Sequence, residues 1–236
     1  MKKKTDKTDK KTPSAEDIES QRRKAVRVKT ALGRRLSSTR WLQRQLNDPY
    51  VAAAKEQGWR SRAAFKLIQL DEKFNLLHPN MRVIDLGAAP GGWSQVVAKK
   101  SGKNGKLVAI DLLEMDAIEG AQIVKMDFLA DNAPDVLKEM LSGQANLVIS
   151  DMAPSTTGHT KTDKIRIMNL AEHAAYFALE VLAPNGGFVC KLFQGGAEKD
   201  LLDILKQNFK TVKHAKPKAS RADSSESYIV ALGFKG

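Results

Sequence analysis

From Met81 to the C-terminus, short apolar runs alternate with stretches whose apolar positions recur at helical spacing. The runs RVIDLG, KLVAIDL, QIVKMDF, ANLVISDMAP and GGFVCKLF predict five strands. The periodicity predicts helices over 93–100, 134–142, about 164–182 and 198–208. TVKHAKP and SYIVALGF close the chain as two further strands. Repeated βα units imply an α/β fold, a doubly wound, mostly parallel sheet with helices on both faces. The last two strands fit an antiparallel C-terminal edge.

Before Met81 the pattern is helical. Ser38 is expected to cap a helix carrying Trp41, Leu42 and Gln45, and Pro49 to break it. Residues 50–57 form another helical turn or two. A third helix starts near Ser61 and puts Ala64, Phe65 and Ile68 on one face.

Charge divides the chain. Residues 1–40 carry fourteen Lys/Arg against five Asp/Glu, and the remainder twenty-five against twenty-two. A Lys-rich stretch with so few apolar residues cannot offset its ordering entropy. Residues 1–36 therefore read as a basic, disordered tail, serving either as a solubiliser or as an arm for nucleic acid. Residues 37–236 read as one domain. Its first part, 37–80, interleaves Arg40, Arg44, Arg60, Arg62 and Lys66 with Trp41 and Trp59, a mixture that suits RNA contact. The single cysteine, Cys190, allows no disulfide framework and favours a reducing compartment. No apolar segment approaches the length needed to span a bilayer, and the N-terminus lacks the apolar stretch of a secretory signal. A cytoplasmic protein is expected. His78, His159, His173 and His214 are scattered without metal-ligand spacing, so no metal site is expected.

Polar residues close strand after strand: Asp85, Asp111, Asp127, Asp151 and Lys191. Singly, each reads as a turn or cap residue. Together they crowd the edge of a parallel sheet at which ligands bind, beyond the carboxyl ends of the strands. The loop DLGAAPGGW supplies glycines that let backbone approach a ligand closely. Gly87, Ala89 and Gly92 match a loose G-x-A-x-x-G, which alone would equally fit a dinucleotide enzyme. Asp111, about twenty residues on, suits two ribose hydroxyls, and Asp127 suits an adenine amino group. Lys191 is the oddity, an ammonium inside the apolar run FVCKLF, where an unpaired charge is costly.

The segments WLQRQLNDPYVAAAKEQGWRSRAAFKL, VIDLGAAPGGWSQVV, SDMAPSTTG, FVCKLFQGG and SRADSSESYIVALG resemble, in order and spacing, the FtsJ-type ribosomal-RNA 2′-O-methyltransferases. The resemblance covers about residues 37–235. It implies a Rossmann-like class I methyltransferase fold with S-adenosylmethionine as cofactor and S-adenosylhomocysteine as product. It implies methylation of a uridine ribose in the A-loop of large-subunit ribosomal RNA, on the assembled large subunit, by a monomer. By motif it places the family's catalytic Lys-Asp-Lys-Glu set on Lys66, Asp151, Lys191 and Glu226. Cofactor contacts fall on Gly91, Trp93, Asp111, Asp127 and Asp151.

Under that resemblance Lys191 is the general base that takes the 2′-hydroxyl proton, or at least steers the hydroxyl. A neutral amine requires a pKa well below the usual ~10.4. Burial and Lys66 push in that direction, whereas Asp151 and Glu226 oppose it. Three other readings remain at this stage. They are a 2′-O-methyltransferase of transfer RNA or capped RNA, a non-catalytic assembly factor that keeps the fold, and a nicotinamide oxidoreductase. Base methylation is disfavoured, because DMAP offers no Asn-Pro or Asp-Pro motif and Cys190 is the only thiol.

Overall fold

The computed structural model of the protein describes residues 15–20, 25–28, 36–154, 157–193 and 198–236. Most of the expected basic tail thus lies outside the described residues. These residues group into two units, Met1–Ala53 and Ala54–Gly236.

In the first unit, α1 (Ala15–Ser20) is a short helix in the stretch expected to be unordered. Its Ile18 is buried, and Glu19 accepts a 3.1 Å hydrogen bond from the Tyr50 hydroxyl. α2 (Leu36–Asn47) starts two residues before the expected cap, so Ser38 sits inside the helix. Gln43 and Asn47, one turn apart on α2, hold the backbone of residues 26–28. Asn47 Oδ1 accepts from the Val26 N–H at 2.7 Å, and Gln43 Oε1 from the Val28 N–H at 3.0 Å. Asp48 caps α3 (Pro49–Gln57) by accepting the Tyr50 N–H at 3.0 Å, with Pro49 in the first helical position, where a missing N–H costs nothing.

The second unit holds a seven-stranded sheet of order β3-β2-β1-β4-β5-β7-β6. The strands are β1 (Arg82–Leu86), β2 (Lys106–Asp111), β3 (Ala121–Lys125), β4 (Ala145–Ser150), β5 (Leu182–Phe193), β6 (Phe209–Ala215) and β7 (Glu226–Phe234). β1 to β5 are parallel, and β7 inserts antiparallel between β5 and the edge strand β6. The connecting helices are α5 (Gly92–Ser101), α6 (Ala133–Leu141), α7 (Thr160–Val181) and α8 (Lys199–Asn208), preceded by α4 (Ala64–Phe74).

Period-two alternation splits the core into two layers. Ile84, Val108, Val148, Phe188 and Ile229 pack beneath α6, α7 and α8. Val83, Leu107, Leu147, Val189 and Tyr228 pack beneath α4 and α5 with Trp93. Chain order reverses between β1 and β4, and that switch point opens a crevice at the strand ends.

Gly87 shapes the crevice floor. Its φ is +75°, and a Cβ there would lie 2.5 Å from Met152 Cγ and 2.9 Å from Met152 Cα. Gly87→Ala therefore combines a left-handed backbone, costing about 1–2 kcal/mol, with a clash against backbone. The expected drop in melting temperature is on the order of 10 °C for a domain of this size. A melting curve that superimposes on the wild-type one would contradict this packing.

Candidate active site

At the C-terminal edge of the sheet, four charged side chains from four elements converge. Lys66 projects from α4, Asp151 follows β4, Lys191 lies within the buried run near the end of β5, and Glu226 opens β7. Lys66 Nζ lies 2.7 and 2.8 Å from the two Glu226 carboxylate oxygens and 4.0 Å from Asp151 Oδ2. Lys191 Nζ donates to Asp151 Oδ1 at 2.7 Å and to the Asp151 backbone carbonyl at 2.7 Å, and stands 4.0 Å from Glu226 Oε2. Two ammonium groups and two carboxylates therefore alternate in one cluster, in which no charge is left unpaired. The cluster accounts for a lysine in an apolar strand: at 8% side-chain exposure Lys191 is largely removed from water, and carboxylates replace the lost hydration.

The cluster's charges hold one another. Burial pushes Asp151 up, but Lys191 and Lys66 outweigh it and leave the carboxyl below its usual range. Glu226 is likewise lowered, its burial outweighed by Lys66 and Lys191. Burial pushes Lys191 down, yet Asp151 and Glu226 prevail and raise it above its ordinary 10.5. The free protein thus holds Lys191 as an ammonium, contrary to the lowered pKa that a resting general base needs. Sequence places the opposing groups nearby, but only the 2.7 Å contacts decide between them. For stability, the two lowered carboxyls contribute above pH ~4 and lose that contribution as acid protonates them. Lys191 contributes below pH ~10.4 and loses its share as alkali strips its proton.

Tyr228 completes the cluster and was not singled out from sequence. Its hydroxyl donates to Asp151 Oδ1 at 2.7 Å and approaches Glu226 Oε1 at 3.3 Å, and its ring packs 5.6 Å from that of Trp93. The signal was available: in a strand, residues two apart share a face, so Tyr228 must point the same way as Glu226.

Beside the cluster lies a cleft of about 770 Å³, lined among others by Gly87, Ala89, Asp111, Asp127, Asp151 and Met152, with Ile165 and Asn169 of α7 opposite. Asp111 and Asp127 stand on its wall as expected from their strand-end positions. Asp111 accepts the Ala89 N–H through Oδ2 and the Leu113 N–H through Oδ1, each at 2.8 Å, and so ties the glycine loop to the loop after β2. Asp127 Oδ1 accepts the Leu129 N–H at 2.9 Å. Asp85, which pairs with Ala109 two residues before Asp111, sits deeper in the sheet and is fully buried against Ser94 Oγ at 2.6 Å. Burial pushes it up to about 7.

Two residues singled out for cofactor contact do not line the cleft. Trp93 is 2% exposed, and its indole N–H donates to the Ala63 carbonyl at 2.8 Å, so its ring fills the core under α4. Gly91, with φ +103°, opens α5 and packs against Arg60 and Ile118, where a Cβ would meet Arg60 Nη1 at 2.8 Å. Arg60 itself, grouped from sequence with RNA-contacting residues, donates to the carbonyls of Asp116 and Ala117 at 2.8 Å. Arg62 is similarly committed to the Ala219 carbonyl, and Lys66 to the cluster. These three cations make contacts within the fold; Arg40, Arg44 and the half-exposed Trp41 are exposed on α2.

A family model of FtsJ-like methyltransferases matches residues 59–234. The chain belongs to the FtsJ-like methyltransferase family. Among its relatives, a protein of Paramagnetospirillum magneticum named Ribosomal RNA large subunit methyltransferase E is 62% identical over 216 residues, covering 89% of this chain and 88% of that one. A protein of Azorhizobium caulinodans with the same name is 62% identical over 214 residues, covering 89% of each. A solved Plasmodium falciparum structure, assigned as a ribosomal RNA methyltransferase, superimposes with a TM-score of 0.67 at 29% identity, covering 75% of this chain and all of that one. The family match spans α4 through β7 and so includes every element that contributes to the cluster and the cleft.

Proposed function

We propose that this chain transfers the methyl group of S-adenosylmethionine to the ribose 2′-hydroxyl of a uridine in the A-loop of large-subunit ribosomal RNA, on the assembled subunit. The observation that carries the reading is the Lys66–Asp151–Lys191–Glu226 cluster at the mouth of a cleft that suits the cofactor. The names of relatives at about 60% identity over most of the chain support the substrate class.

The cleft's chemistry fits S-adenosylmethionine. Asp111 uses one lone pair on each oxygen for backbone N–H groups and keeps others for two ribose hydroxyls. Asp127 keeps Oδ2 for an adenine amino group, between apolar walls that include Ile110, Met126 and Phe128. Gly87 supplies close backbone where any side chain would collide. Gly91 supports the loop from behind. Trp93 packs on Tyr228 and so backs the charged cluster.

When bound, S-adenosylmethionine supplies a methyl already activated on a sulfonium. The protein must then align the hydroxyl and remove one proton. Lys191 receives that proton in its neutral form, with Asp151 holding the amine through its carboxylate and its carbonyl. Lys66, pinned by Glu226, places a positive charge beside the developing alkoxide. Because Asp151 and Glu226 raise Lys191, only a minor fraction of the free enzyme carries the neutral amine at neutral pH. The single-turnover rate should therefore climb about tenfold per pH unit from pH 7 to 9, the behaviour of a base titrating above the range. A flat profile over that span would leave Lys191 only an electrostatic role.

The basic stretch 1–36 and α2, with exposed Trp41, Arg40 and Arg44, serve as the RNA-contacting segment ahead of the methyltransferase fold. The proposed active species is a monomer. None of the described helices is long and apolar enough to cross a membrane, and the lone cysteine suits the cytoplasm.

The test is methyl-labelled S-adenosylmethionine offered with unmethylated large subunits, free ribosomal RNA and transfer RNA side by side. The expected result is label in the subunit RNA. Label confined to transfer RNA would overturn the proposed substrate.

A further inference from the structure

We propose that Ser220 is a positioning residue for methyl transfer: its hydroxyl fixes the Glu226 carboxylate, and α4 holds Ser220 in place by gripping the preceding residue at both backbone atoms. The inference rests on the methyl-transfer reading above and deepens it.

Ser220 lies in the connection between β6 and β7 and is only 6% exposed. Its Oγ donates to Glu226 Oε1 at 2.7 Å, an oxygen that also meets Lys66. The loop is not held by chance contacts. The Ala219 N–H donates to Gln69 Oε1 at 2.8 Å, the Arg62 guanidinium donates to the Ala219 carbonyl, and the Ser220 N–H closes a turn on the Pro217 carbonyl at 2.9 Å. Arg62, Lys66 and Gln69 stand at i−4, i and i+3 along α4 and its opening turn, the spacing that stacks side chains on one helix face. One face of α4 thus sets the loop through Arg62 and Gln69 and meets the carboxylate through Lys66.

The consequence concerns Lys191. Glu226 Oε2 stands 4.0 Å from Lys191 Nζ, too far for a hydrogen bond. With Oε1 held by Ser220 together with Lys66 and Tyr228, the carboxylate keeps that distance. Freed from Ser220, the carboxylate can rotate onto the Lys191 ammonium, which strengthens the charged form of the amine that must become neutral. Ser220 therefore acts through Glu226 on Lys191, without touching substrate.

Ser220→Ala should lower kcat about tenfold, the size of one hydrogen bond to a charged group. KM for S-adenosylmethionine should stay unchanged, and the pH–rate profile should move to higher pH. Ser220→Thr, which keeps the hydroxyl, should restore both. Gln69→Ala, which releases the Ala219 N–H from the half-buried face of α4, should give the same displaced profile in milder form. The double variant Ser220→Ala/Gln69→Ala should be no slower than Ser220→Ala, because both act along one path. The experiment is single-turnover labelling of unmethylated large subunits by the full-length chain and these variants across pH 7–9, with melting curves alongside. A Ser220→Ala enzyme with wild-type kcat and pH profile overturns the inference while leaving the methyl-transfer reading intact. So does additive slowing in the double variant. A wild-type chain that labels no RNA overturns the reading itself, and the inference with it.

Discussion

Lys191→Ala and Lys191→Arg both lower the methyl-transfer rate by about a hundredfold or more, the range lost with a general base. The pair of variants separates two roles. Arginine keeps a positive charge within reach of Asp151 and Glu226 but cannot give up its proton. If the amine only steers the hydroxyl by its charge, Lys191→Arg retains most of the rate. If it accepts the proton, both variants fail alike. Lys191→Ala also leaves Asp151 with Lys66 at 4.0 Å as its nearest cation, so its melting temperature falls. S-adenosylmethionine binding survives in both, because the cleft wall formed by Asp111, Asp127 and Gly87 is untouched. Single-turnover rates with saturating cofactor, read beside a binding isotherm, check both statements. Full activity in Lys191→Arg would remove the base role.

Asp111→Ala raises the dissociation constant for S-adenosylmethionine by about a hundredfold, from the loss of two hydrogen bonds to a charged acceptor. Two effects coincide in this side chain. It presents the oxygens suited to ribose hydroxyls, and through the Ala89 and Leu113 N–H groups it also fixes the two loops that border the cleft. Asp111→Asn keeps one acceptor oxygen and falls between wild type and alanine. Isothermal titration of the three proteins measures the series. Equal affinity in wild type and Asp111→Ala would place the cofactor elsewhere.

The order of strands and helices was legible along the chain because β1, β2, β4 and the later part of β5 are apolar runs buried on both faces, whereas the edge strand β3 is only partly buried. Strand-end carboxylates marked the right edge of the sheet, and Asp111, Asp127 and Asp151 all reach the cleft. Other features depend on distance in space. Asp85 reads as a strand-end residue like Asp111, yet it pairs with Ala109, two residues deeper in the sheet, and is buried under α5. Arg60 and Arg62 look like surface cations in a basic stretch, but each meets backbone carbonyls far along the chain. Ser220 sits in a polar turn that reads as solvent-exposed until α4 is folded over it. The charge state of Lys191 is the sharpest case. Its neighbours were nameable from motifs, whereas the balance between burial and two carboxylates turns on contacts of 2.7 and 4.0 Å.

The measurement that most directly tests the central claim is alkaline cleavage of large-subunit RNA after incubation with the protein and methyl-labelled S-adenosylmethionine. A 2′-O-methyl group removes the nucleophile for cleavage at its own linkage, so the predicted result is label in a single alkali-resistant dinucleotide containing uridine, absent with Lys191→Arg. Label recovered in alkali-sensitive mononucleotides would put the methyl on a base and contradict ribose methylation by this cluster.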